Sequence, residues 1–291
     1  MNVMTGPTDT VVETTTRGDD NERVASWMLA SGVILLGVVV LLSLLAPVLT
    51  SSGPREITMA GPLRPPGGAH LLGTDRNAID VWSRLLAATR TDLGIAVVAV
   101  TFAVLIGTTI GVIVGYVGGW LEEVAMRLLD IVQAFPTFIF ALTVAALVGP
   151  GAFNLTVVIA LVNAPAYARL VRAEVRTVRA QPYIEAASTS GSRRWRILVR
   201  HVVPNSLTPV RVIAPMNCGW AMLTLAGLSF LGLGIPVLEP EWGAMISIGA
   251  NDAVAGRWWT SVPPGLALVV CVLGFSLIGE GLQQRADRLV T

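Results

Sequence analysis

The sequence predicts an all-α integral membrane protein with about six transmembrane helices. Three observations carry that expectation. Hydrophobic residues make up 53% of the 291 residues and charged ones only 13%, about half the charge of an ordinary soluble domain. The apolar residues fall in blocks of about 20, the length that crosses a bilayer at ~1.5 Å per residue. The middles of these blocks hold no Asp, Glu or Arg.

The blocks cover 27–49, 93–117, 128–148, 152–171, 210–235 and 262–282. Residues 1–22 are polar and Thr-rich with little to bury, which predicts a disordered tail. The apolar run that follows is longer than a signal-peptide core and has no small-residue cleavage site, so it reads as a retained anchor. Residues 51–75 carry repeated Pro and Gly turn signals and read as a long loop. "SRLLAATRTDL", from Ser83, reads as a short interfacial helix ahead of the second span. Gly107, Gly111 and Gly115 form one face of that span, where another helix approaches closely. Pro136, Pro165 and Pro215 are kink positions. Trp242, Trp258 and Trp259, between the last two spans, suit a membrane–water boundary.

An even number of spans puts both termini on one side. Cytoplasmic loops retain arginine, and Arg169 through Arg200 crowd one loop. Both termini and that loop are therefore expected inside, in a multi-pass membrane protein. Arg55, Arg64, Arg76, Arg84, Arg90 and Arg257 then lie outside, with Asp75, Asp80 and Asp92 among most of them.

Composition also excludes chemistry. A net charge of +1 gives no case for nucleic acid. All 20 basic residues are Arg, so the chain lacks the lysine of a phosphate-binding loop and of a Schiff base. Cys218 and Cys271 lie in apolar runs and read as small buried hydrophobes, and His70 and His201 are far apart. No metal site or cofactor is expected. No HExxH, carboxylate pair or nucleophile–base pair appears, so an enzyme is not expected. An ion-coupled carrier keeps a titratable group at membrane depth, and these blocks show none. Uphill transport would need energy from another polypeptide.

The stretch "YIEAASTSGSRRWRILVRHVVP" stands apart. Pro182 at a helix start, followed by Glu185, Ala186 and Ala187, predicts a helix over 183–190. Gly191 sits where a helix ends in positive φ. A second helix is expected over 192–203, with Ser192 as N-cap. Trp195, Leu198, Val199 and Val202 form its apolar stripe, Arg193, Arg196 and Arg200 another face, and Pro204 closes it. A small-faced helix suits docking of another protein. A basic segment held by anionic lipid, at ~1 kcal/mol per arginine, is the other reading of the same residues.

Glu185-Ala186-Ala187, then Gly191, His201 and Pro204, resembles the EAA motif of ABC-importer permeases. "LLGTD" from Leu71, "SRLL" from Ser83, "YARLVRAEV" from Tyr167, "LSFLGLG" from Leu228, "WG" at Trp242 and "PGLA" from Pro264 resemble the dipeptide, oligopeptide and nickel permeases of the DppC/OppC type. The likeness runs over 71–288. Where that family has Gly-Arg before Asp, this chain has Ala78 and Ile79 before Asp80; an acidic position before "LSF" is Leu225, and Val203 replaces Leu. The resemblance implies a permease domain over 71–291, with a coupling loop over 172–204, after a tail (1–22) and a first helix with its loop (23–70). It implies that Glu185, Ala186, Ala187, Gly191, Arg193, Arg196, His201 and Pro204 couple the chain to ATPase subunits. It also implies partners: a second permease, two ABC ATPases, an extracytoplasmic solute-binding protein and membrane lipid. The implied function is ATP-driven import of di- or oligopeptides across the bacterial plasma membrane. Nickel or another small solute is the alternative cargo, and an ion-coupled carrier the alternative mechanism.

Overall fold

The computed structural model describes residues 7–236 and 238–288. In chain order the α-helices are α1 (Pro7–Leu44), α2 (Ala46–Leu49), α3 (Val81–Val117), α4 (Gly119–Gln133), α5 (Thr137–Val148), α6 (Ala152–Arg179), α7 (Pro182–Thr189), α8 (Arg194–Ile197), α9 (Val203–Ser206), α10 (Thr208–Phe230), α11 (Trp242–Val254) and α12 (Val262–Arg288). A π turn (Leu198–Val202) and a 3₁₀ turn (Trp258–Thr260) complete the helical elements. Among the described residues there is no strand, only three isolated bridges, Ile57 with Ile79, Gly67 with His70 and Thr74 with Asp80.

Among the described residues, five helices are long and apolar enough to cross a membrane: α1 over Arg23–Leu44, α3, α6, α10, and α12 over Val262–Ala286. The sixth expected span is broken. α4 and α5 reach spanning length only together, and they meet at a bend of 86°. Pro136 is the N-cap of α5; lacking an N–H, it cannot carry the helix of α4 forward. Pro165 and Pro215 lie inside α6 and α10.

Two boundaries differ from expectation for local reasons. The segment from Ser83 is not a separate interfacial helix. It is the first part of α3, whose start is fixed by Asp80: its Oδ1 accepts from the Ser83 N–H at 2.7 Å. Nothing between Ser83 and Val117 removes a backbone donor, so the helix runs through. Asp92, expected before the span, therefore lies within α3. At the other end of the chain, residues 1–6 of the expected disordered tail lie outside the described residues. From Pro7 the backbone is helical and continuous with α1; extending a formed helix needs no new nucleus, and residues 8–22 contain no proline.

The expected glycine contact is present. The glycine row of α3 faces α6. A methyl group placed on Gly107 would lie 2.5 Å from the Ala164 carbonyl oxygen, on Gly111 2.6 Å from that of Ala168, and on Gly115 2.9 Å from that of Arg172. Carbon contacts normally settle at about 3.5–4.0 Å, so only hydrogen fits at Gly107 and Gly111. α1 meets α12 in the same way, with Gly32 against the Gly274 carbonyl at 2.6 Å.

A polar cap closes the end of the bundle that carries the long loops. Arg84 is buried and donates Nη1 to Asp75 Oδ2 at 2.9 Å. His70 Nδ1 lies 2.7 Å from Asp80 Oδ2. Arg76 Nε donates to Asp252 Oδ2 at 2.7 Å. Glu241, fully buried, caps α11 by accepting from the N–H groups of Gly243 (2.8 Å) and Ala244 (2.7 Å). Burial pushes its carboxyl up, and those two N–H groups oppose the shift. Trp242 and Trp259 correct the boundary-anchor expectation: both are buried, and their indole N–H groups donate to the carbonyls of Leu85 (3.1 Å) and Thr74 (3.3 Å). Of the three tryptophans, Trp258 is the exposed one.

Candidate coupling surface

α6 ends at Arg179, and Gln181 adopts an extended conformation (φ −73°, ψ 142°) that turns the chain into α7. Pro182 occupies the first turn of α7, where its missing N–H costs nothing. One α7 side chain, Ile184, is buried and pins the helix to the bundle. Glu185 and Ala186 point outward, and Ala187 is half-buried against the core. The helix closes through two backbone bonds: Ser192 N–H to the Ala187 carbonyl (3.2 Å) and Gly191 N–H to that of Ser188 (3.2 Å). This pairing requires a left-handed residue at its centre, and Gly191 has φ +78°. A Cβ there would meet nothing within 4 Å. Backbone conformation alone demands the glycine.

The second half of the loop departs from the expected helix. Ser192 does not cap it. Arg193, extended at φ −61°, ψ 138°, precedes α8. One turn of α8 gives way to the π turn, in which Val203 N–H reaches back to the Leu198 carbonyl. Pro204 is the physical cause. It has no N–H for the carbonyl of Arg200, and its ring clashes with that carbonyl, so the preceding turn widens. The widening rotates the faces. Trp195 and Val199, expected in the apolar stripe, are exposed, while Ile197, Val202 and Ser206 are buried. Pro204 sits in the first turn of α9 and does not close the segment. His201 is half-buried in the π turn, and its carbonyl accepts from Asn205 Nδ2 at 2.7 Å. The same Nδ2 donates to the Tyr183 hydroxyl at 3.3 Å, tying α9 to α7.

Arg193, Arg194, Arg196 and Arg200 are exposed, and Glu185 with them. Among the described residues none of these five has an ion-pair partner. The surface therefore presents one carboxylate on a small-residue helix beside four free guanidinium groups.

Sequence reasoning missed the cleft behind this surface. It has a volume of about 570 Å³ and lies where the ends of α3 and α6 meet α7 and α8. Tyr116 donates its hydroxyl to the Arg194 carbonyl at 3.1 Å. Arg179 donates Nη1 to the Tyr116 carbonyl at 2.7 Å, and its guanidinium carbon stands 5.5 Å from the ring centre. Glu185 and Ser188 form part of the cleft wall. Tyr116 lies far from the loop in sequence, and no local pattern marks it. Farther along, Glu122 of α4 accepts from Arg172 Nε (2.6 Å) and Arg176 Nη1 (3.0 Å) of α6.

Residues 107–291 match the family model of the binding-protein-dependent transport system inner membrane component. The chain is 38% identical over 256 residues to the dipeptide transport system permease protein DppC of Alkalihalophilus pseudofirmus, covering 88% of this chain and 84% of that one. It is 39% identical over 222 residues to the glutathione transport system permease protein GsiD of Pectobacterium atrosepticum, covering 76% and 73%. Its fold is similar to that of a chain of the MetNI methionine ABC transporter in an inward-facing conformation, with a TM-score of 0.55 and 18% identity over 71% of this chain and 94% of that one. A glycine-keyed helix bundle, a broken span and an exposed α7 closed by Gly191 thus stand in a sequence of known kinship: the chain belongs to the family of binding-protein-dependent transport system inner membrane components.

Proposed function

We propose that this chain is a transmembrane permease subunit of an ATP-driven importer of di- and oligopeptides. It forms half of the translocation path and receives mechanical work from ATPase subunits through α7. The observation that carries the reading is α7 itself: an exposed helix with a small-residue face, held by one buried side chain and closed by a glycine that only conformation requires. The relatives named for dipeptide and glutathione transport supply the cargo class.

The mechanism follows from the packing. A cleft in an ATPase subunit closes on Glu185, Ala186 and the neighbouring Arg193 and Arg196. Gly191 keeps α7 and α8 at a fixed angle, and His201 and Pro204 hold the π turn that seats α8. Movement of α7 passes through Ile184 and the Pro182 junction into α6. The glycine row then carries it into α3. The hydrolytic chemistry belongs to the ATPases, since this chain has no lysine-bearing phosphate loop. A second, related permease forms the other wall of the path, and an external solute-binding protein delivers cargo to the polar cap. Both termini and residues 172–204 face the cytoplasm.

Uptake of labelled di- and tripeptides by cells with and without this gene tests the reading, run in parallel with nickel. Loss of peptide uptake on deletion is expected. Unchanged peptide uptake with lost nickel uptake would overturn the cargo and leave the permease assignment standing.

A further inference from the structure

The break between α4 and α5 leaves the polar side chains of Gln133 and Thr137 exposed beside Phe135 and Phe138. The last carbonyls of α4 and the first N–H groups of α5 have no partners within their helices, and Pro136 has no N–H at all. Such backbone does not face lipid; within a membrane it occurs only buried in protein or against water. α6 covers one side of the break. Beside it, a pocket of about 250 Å³ is lined by Gln133, Phe135, Thr137, Phe140, Asn163 and Ala166 among others. Asn163 donates Nδ2 to the Ile159 carbonyl at 2.8 Å, which leaves its Oδ1 to accept. Gln133 and Thr137 are exposed, and among the described residues their side chains have no hydrogen-bond partner. One turn along α4 from Gln133, Asp130 pairs with Arg169 of α6 at 2.7 Å, both substantially exposed. An exposed ion pair on a spanning helix also faces water or protein rather than lipid.

We infer that this pocket is a contact station for the peptide in transit. The inference rests on the peptide-import reading. The chemistry fits a peptide main chain. The amides of Gln133 and Asn163 and the hydroxyl of Thr137 offer both donors and acceptors. They match backbone N–H and C=O groups, which every peptide has, and carry no fixed charge to select side chains. Phe135 and Phe140 stack with centroids 6.3 Å apart and supply an apolar wall for varied side chains. The pocket is small beside the roughly 300–1,000 Å³ of drug-sized sites, so it takes one or two residues at a time.

The test uses the transporter assembled with its partners, in vesicles whose two faces are both open to reagent. Cys218 and Cys271 are first replaced by Ala. Gln133→Cys, Thr137→Cys and Asn163→Cys are made singly, with Ile34→Cys on the exposed face of α1 as the lipid-facing control. A charged methanethiosulfonate reagent reports water access. Labelling at residues 133 and 163 is expected at least tenfold faster than at residue 34, and slowed at least threefold by saturating dialanine. Rates equal to the control would overturn the inference. So would fast labelling of the isolated chain that vanishes on assembly, because the face would then be covered by the second permease. Labelling that dialanine leaves unchanged, in a transporter that imports dialanine, would overturn the peptide contact while sparing the import reading. A transporter that imports no peptide would sink both.

Discussion

Gly191 allows a separation that most loop glycines do not. Its φ is +78° and a Cβ there would meet nothing within 4 Å, so a substitution costs conformation and not space. For alanine the left-handed region costs about 1–2 kcal/mol, which shifts the closed turn against its alternatives about 5–30-fold. Asparagine visits this region readily and is the common natural substitute at such caps. A β-branched residue resists it most. The expected order of substrate-stimulated ATPase and uptake in the assembled transporter is therefore wild type, then Gly191→Asn close behind, Gly191→Ala several-fold lower, and Gly191→Val lowest. Amounts in the membrane should be equal, because no span is touched, and cargo binding to the external protein should not change. The assay is initial uptake and ATPase rate per assembled complex. Normal activity in Gly191→Val would refute the role of α7 as the coupling element. Asn as damaging as Val would refute the conformational argument, since side-chain bulk at a partner contact would then be the cause.

Three further outcomes are expected. Ala78 has φ +57°, so Ala78→Gly should relieve about 1–2 kcal/mol of strain and give back about 0.4–1 kcal/mol through the unfolded chain; a small rise in melting temperature in detergent checks it, and a fall would contradict it. Gly111→Leu should separate α3 from α6 and lower stability by about 1–3 kcal/mol or more, whereas Gly94→Ala, on the same helix with open space around it, should raise it by up to ~1 kcal/mol; thermal unfolding of the two variants side by side decides. In a background without Cys218 and Cys271, Ser52→Cys should react with an impermeant reagent added to intact cells and Ser192→Cys should not, and the opposite pattern would invert the topology.

Gly191 and the glycine row were legible because each demands a particular residue for a local reason. A left-handed cap needs glycine, and a helix face keyed to a neighbour's backbone needs hydrogen at every fourth position. Pro136 and Pro204 were legible only as irregularities. Proline announces a lost N–H, but whether the chain answers with an 86° break or a π turn depends on what packs around it. That dependence is why the expected stripe through Trp195 and Val199 faces solvent. The polar cap was hidden for another reason. Trp242 meets Leu85, and Glu241 lies close to Asp92 across more than half the chain; the cleft at the other end of α3 was hidden likewise, where Tyr116 finds Arg194. None of these pairs shares a helix or a period, so no window of sequence contains the signal. Ala78 lies between the two cases: the resemblance marks it as a departure from glycine, and its positive φ says why glycine is usual there.

The proposed coupling through α7 would act on parts of unequal stiffness. α6 has 28 residues, roughly 42 Å at ~1.5 Å each, with α7 hung from its end. Its contacts with Gly107, Gly111 and Gly115 begin near its middle and run toward that end. Interlocked backbones there leave no room for sliding, so α3 and α6 move as one body. α4 and α5 are held differently. Glu122 binds Arg172 and Arg176, and Asp130 binds Arg169. These ties join α4 to α6 by side chains that reorient without separating. At the far end of α4 the helix is already interrupted at residues 134–136. A bundle driven from α7 therefore yields first at that bend, since no helical hydrogen bond has to break for its angle to change. The pocket of Gln133 and Asn163 has one wall on each side of this joint. In the proposed mechanism, work applied at α7 alters the width of that pocket without breaking a helical hydrogen bond.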